Sequence, residues 1–71
     1  MTIKFLEKNQ VWQNETTEYW FDLDGTVYNM CDNNGRVRLY DSENYPIDLS
    51  DTDHDRIYEL LYPEYQKHIS D

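Results

Sequence analysis

The sequence predicts an α+β fold: a small antiparallel β-meander of three to four strands with a C-terminal helix packed on one face. Three observations carry this reading. Asp24-Gly25 and Asn34-Gly35 each stand between runs of strand-forming residues, and such pairs suit type I′ hairpin turns, whose central positions both take positive φ. The two hairpins they imply agree on a single core face. After Ser50 the apolar residues change from a two-residue spacing to a helical one.

The register follows from the turns. A two-residue loop at Asp24-Gly25 sets Leu23 opposite Thr26, Phe21 opposite Tyr28 and Tyr19 opposite Met30. The same loop at Asn34-Gly35 pairs Asn33 with Arg36, Asp32 with Val37 and Met30 with Leu39. Tyr19, Met30 and Leu39 then form one row across three strands. Phe21, Leu23, Tyr28 and Val37 share its face, because strand side chains alternate with period two. A slip of one residue at either turn would turn this set to the wrong side.

Before the meander, Ile3 to Leu6 and Val11 to Gln13 read as two short extended pieces joined through Glu7-Lys8-Asn9-Gln10, with Trp12 closing one end of the core. After it, Tyr45-Pro46-Ile47-Asp48-Leu49 reads as a further strand, at the edge because Pro46 lacks a donor, with Ile47 opposite Leu39. Ser50-Asp51-Thr52-Asp53 is a helix start, rich in caps and in carboxylates favoured by the positive end of the helix dipole. Ile57, Leu60 and Leu61 follow at helical spacing, flanked by His54 and Tyr58. Pro63 should end this helix and open a second short turn over residues 63–68.

A chain of 71 residues fits one domain, residues 1–71, and leaves no room for a large active-site cleft. One cysteine, Cys31, excludes an internal disulfide and suggests a reducing compartment. The N-terminal residues lack a signal-peptide pattern and no apolar run is long enough to cross a membrane, so the expected location is cytoplasmic. Fifteen acidic residues against six basic ones give a net charge of −9. Such a chain repels nucleic acid and anionic membranes and is drawn to basic protein surfaces.

The segment FDLDGTVY, Phe21 to Tyr28, is similar to the first motif of haloacid-dehalogenase-like phosphohydrolases. The resemblance covers eight of the 71 residues. It implies Asp22 as the nucleophile that attacks phosphorus, Asp24 as the acid that protonates the leaving group, and a magnesium ion bridging carboxylate and phosphate. It also implies a parallel sheet flanked by helices. The residues themselves read as a hairpin turn: after Thr26 the chain alternates as a strand, and Lys67 is the one lysine downstream. No catalytic residue, cofactor or metal is therefore assigned. Asp22, Asp24 and Asp32, or the Asp51–Asp55 cluster, lack the order of an EF-hand. His54 and His68 read as solvated or cap-side histidines, and Cys31, beside acids, as an unreactive thiol.

The surface remains. Alternation that buries Tyr19 and Phe21 turns Glu18, Trp20 and Asp22 to the other face, where Trp20, Asn29 and Tyr40 form a second cross-strand row. Either that face is open, or the N-terminal segment covers it through Phe5 or Trp12. Large aromatics among acids suit a protein interface. The expected partner-binding residues are Trp20, Tyr40, Glu18, Asp22, Asp48, Asp51, Asp53 and Asp55. The expected partner is a basic, nucleic-acid-binding protein, with no direct contact to nucleic acid or membrane. In size and charge the chain resembles phage inhibitors of host defence or DNA-processing proteins, such as anti-CRISPR proteins and glycosylase inhibitors. An acidic accessory module that binds without mimicry is the alternative.

Overall fold

A computed structural model describes residues 1–11, 15–48, 50 and 52–70. Four strands, β1 (Ile3–Val11), β2 (Thr16–Leu23), β3 (Thr26–Asn33) and β4 (Arg36–Tyr40), are followed by one helix, α1 (Thr52–Lys67). The strands form one antiparallel sheet in the order β1-β2-β3-β4. Both hairpin turns have the expected backbone. Asp24 and Asn34 take φ values of 52° and 53°, and Gly25 and Gly35 take 91° and 94°, the positive values a type I′ turn requires. Each turn is also tied by an aspartate three residues before its glycine. Asp22 Oδ1 accepts the Gly25 N–H, and Asp32 Oδ1 the Gly35 N–H, both at 2.8 Å.

The registers match expectation at every pair. Tyr19 lies opposite Met30 and Met30 opposite Leu39, so this row crosses the middle of the core face. Tyr19, Phe21, Leu23, Met30 and Leu39 are buried there against Ile57, Leu61 and Tyr65 of α1, with Tyr28, Val37 and Leu60 packed at the margin. Leu61 rather than Leu60 is the deeper of the adjacent pair.

The N-terminal segment departs from the expected two pieces. β1 is a single strand of nine residues. Its register against β2 shifts between Phe5 and Glu7, a bulge at Leu6, which is 43% exposed. The bulge places Ile3 and Phe5 opposite Leu23 and Phe21 before it, and Lys8 opposite Tyr19 after it. A strict alternation is broken by the one extra residue. Phe5 therefore joins the core face, its ring 5.5 Å from that of Phe21 and stacked on His68 at 3.8 Å. Lys8 crosses the Tyr19 ring at 5.4 Å and donates to the carbonyls of His68 and Ile69 at 3.4 and 3.1 Å. A cation at the negative end of a helix satisfies carbonyls that lack partners there. Trp12, expected to close the core, lies outside the described residues, as do Gln13 and Leu49.

The segment after β4 is a strap rather than a full strand. Tyr40 and Pro46 form an isolated bridge, and the Ile47 N–H donates to the Leu39 carbonyl at 3.0 Å. The expected pairing of Ile47 with Leu39 is present, but Pro46 limits it to this short contact.

The helix also differs from expectation, continuing through Pro63 to Lys67. An interior proline forfeits one hydrogen bond and crowds the preceding turn. What lies beyond it offsets that loss: Tyr65 is 4% exposed, meets Tyr19 edge-on at 4.8 Å, and donates its hydroxyl to Asp32 Oδ2 at 2.9 Å. One carboxylate thus ties the second hairpin turn to the last turns of the helix.

Leu39→Ala or Leu61→Ala should lower the unfolding free energy by about 2–5 kcal/mol in a denaturant titration; a neutral result for either would show that the helix covers the other face. Burial, then the bond to Asp32 and its negative charge, hold the Tyr65 hydroxyl well above the usual tyrosine range. The folded state keeps this proton to higher pH than the unfolded chain, so its contribution is complete below about pH 10 and is lost as pH rises beyond that. Unfolding free energy measured from pH 8 to 11.5 should fall at the alkaline end, and Tyr65→Phe should flatten that fall.

Candidate functional site

The expected binding residues fall on two sides of the sheet. On the face away from α1, the row Glu7, Trp20, Asn29 and Tyr40 crosses all four strands. Beside it runs the row Asn9, Glu18, Cys31 and Arg38. This face is neither open nor covered by Phe5, which sits on the core side. It is roofed in part by the loop after β4. Asp41 shapes that loop: its Oδ1 accepts the N–H groups of Glu43 and Tyr45, and its carbonyl accepts that of Asn44. Asn44, at φ 67°, is a residue type that tolerates the left-handed region, and the turn lays its amide on the sheet.

Glu18 is the centre of the resulting network. Its Oε1 accepts from Asn9 Nδ2 at 3.0 Å and from Trp20 Nε1 at 3.3 Å. Its Oε2 accepts from Asn44 Nδ2 at 3.2 Å and from Asn29 Nδ2 at 3.5 Å. Asn29 in turn donates to Asn44 Oδ1 at 2.9 Å and is 0% exposed. Glu18 therefore acts as a fastener that orients Trp20 and the loop. Trp20 and Tyr40 are half-buried on either side of Asn29.

Beside this network a groove of about 400 Å³ lies over Cys31, with Val11, Thr16, Glu18, Arg38 and Tyr40 among its walls. Burial pushes the Cys31 thiol up, and the carboxylates of Glu18 and Asp32 add to this, so the reactive thiolate is disfavoured. Arg36 and Arg38 are exposed at this end of the sheet, so its charge is mixed rather than uniformly acidic.

Asp22 and Asp24 stand at a hairpin rather than at the end of the parallel strand that the phosphohydrolase motif implies. Asp24 is the first residue of a two-residue turn between antiparallel strands, and Asp22 lies two residues before it in β2, where that family has a parallel sheet. Asp22 Oδ1 faces the Gly25 N–H, and Asp24 Oδ1 accepts the Thr2 N–H at 2.7 Å. One oxygen of each carboxylate thus accepts a backbone N–H of the turn or of the chain start. Among the described residues no group of three or more His, Cys, Asp or Glu side chains is placed to hold a metal ion.

The second set surrounds the start of α1. Asp48 Oδ1 accepts both the N–H and the hydroxyl of Ser50, at 2.9 and 2.8 Å, and these bonds, the backbone one first, hold its carboxyl below the usual range. Asp53 and Asp55 occupy the first helical turn. Asp53 pairs with Arg56 at 3.7 Å, and Asp55, whose side chain is 88% exposed, meets His54 Nδ1 at 3.1 Å. Asp51 lies outside the described residues. His54 is buried rather than solvated, its ring stacked with Tyr58 at 5.9 Å. The sequence does not reveal this burial of His54, because a polar residue beside an apolar stripe looks the same whether it caps or packs.

No protein-family model, curated protein or solved structure matches the chain. Among the described residues no helix is long and apolar enough to cross a membrane.

Glu18→Ala strands the Asn29 and Trp20 donors and frees the Asn44 loop, so it should cost about 1–3 kcal/mol. In a Trp12→Phe background, which leaves Trp20 as the sole reporter, its emission should move to longer wavelength. An unchanged midpoint and spectrum would mean that the network does not hold Trp20 in solution.

Proposed function

We propose that this chain is a small acidic protein-binding protein that occupies the nucleic-acid site of a basic partner, in the manner of an anti-defence inhibitor. The observation that carries the reading is a net charge of −9 on 71 residues, with Asp48, Asp53 and Asp55 exposed around one helix start. Carboxylates held on a helix and its leading strap can stand where a partner expects backbone phosphates. Glu18 and Asp22 serve this reading indirectly: the first orients Trp20 and the second fixes the hairpin that carries it. Trp20 and Tyr40 offer rigid rings on the other side of the sheet, suited to a partner that clasps the β4 edge. Enzyme activity is not part of the proposal.

A partner recovered from host lysate should bind more weakly as salt rises, because ions screen the carboxylates, and should be displaced by DNA or RNA. Neutralising Asp48, Asp53 and Asp55 should chiefly lower the association rate. Trp20→Ala should chiefly raise the dissociation rate. Affinity indifferent to both ionic strength and competing nucleic acid would replace mimicry with the accessory-module reading.

A further inference from the structure

A second groove, on the core side of the sheet, deepens the proposed reading and rests on it. We infer that the groove between β4 and the first turns of α1 receives one aliphatic side chain from a basic segment of the partner, whose flanking lysines or arginines meet the carboxylates at its rim.

The groove holds about 300 Å³ and is lined by Val37, Leu39, Ile47, Tyr58, His54 and Asp55, a size at the lower end for ligand sites and suited to one side chain. Its floor is apolar. Its wall is preformed: the rings of His54 and Tyr58 stack at 5.9 Å, and Tyr58 is backed in turn by Tyr62 at 5.5 Å, so little ordering is left to binding. On the helix side the rim carries Asp55, and Asp48 follows Ile47 on the strap. On the opposite side stands Arg38.

This asymmetry selects the occupant. A cationic tip inside the groove would exchange water for an apolar floor between His54 and Arg38, which is costly. Cations placed outside, toward α1, meet Asp55 instead. An aliphatic residue with basic neighbours satisfies both the floor and the rim, and an acidic neighbour satisfies neither on the helix side. Tyr45, 64% exposed and two residues before Ile47, adds an exposed ring on the same strap. A hydrophobic pocket inside a charged rim is the usual geometry of an interface hot spot.

The test uses the full chain, ¹⁵N-labelled, and two capped peptides, Lys-Lys-Leu-Lys-Lys and Lys-Lys-Ala-Lys-Lys, titrated by two-dimensional NMR at low and at physiological salt. The leucine peptide should shift the amides of Val37, Leu39, Ile47 and Tyr58 and bind about tenfold more tightly than the alanine peptide. Val37→Lys, its fold checked by circular dichroism, should abolish that preference. Asp55→Asn should weaken both peptides alike and leave their ratio unchanged. Equal, salt-sensitive binding of the two peptides to the unaltered chain, or shifts confined to the Trp20 face, would overturn the groove while leaving the basic-partner reading in place. Failure of both peptides to bind at low salt would overturn the groove and the basic-partner reading together.

Discussion

Positive φ at Asp24, Gly25, Asn34 and Gly35 is the constraint from which the rest of the molecule follows. A Cβ built on either glycine would meet nothing within 4 Å, so the demand is one of backbone conformation and not of space. Two turns that admit no third residue leave no freedom in the pairing of β2, β3 and β4. The row Tyr19, Met30 and Leu39 is a consequence of that pairing, and the helix rests on this row. Asp32 joins the two levels of organisation, because one of its oxygens closes a turn and the other takes the hydroxyl of Tyr65.

The parts of the fold that depend on those turns were legible in the sequence, and the parts that depend on distant contacts were not. β1 has no tight turn to anchor it to β2. Its bulge at Leu6 also changes which residues face the core partway along the strand, so a reader following period two sees two fragments. The helix beyond Pro63 is a similar case. Local propensity argues for a stop there, whereas Tyr65 supplies a buried ring and a hydrogen bond to a residue 33 positions away. Tertiary packing outweighs the local signal, as it often does for helices.

The candidate site divides along the same line. Trp20 and Tyr40 could be placed on a shared row because the register was known. That Glu18 would face four donors, one of them brought by a loop 26 residues further on, has no local signature. A carboxylate on a strand looks the same in sequence whether it awaits a partner or fastens its own neighbours. Asp22 and Asp24 show the converse hazard, since a short run of residues that serves catalysis in one family serves a tight turn here.

The sheet also ends in two different ways at its two edges. Beyond β4 the strap brings Pro46, which cannot donate, against Tyr40. At β1 the bulge interrupts the row of free backbone groups, between lysines at positions 4 and 8. Bulges, lysines and prolines at edges are the means by which natural sheets refuse a further strand from another molecule. A short, tyrosine-rich sheet with open edges is at risk of growing into fibrils as its concentration rises. Blunted edges, together with mutual repulsion between molecules of charge −9, oppose such growth.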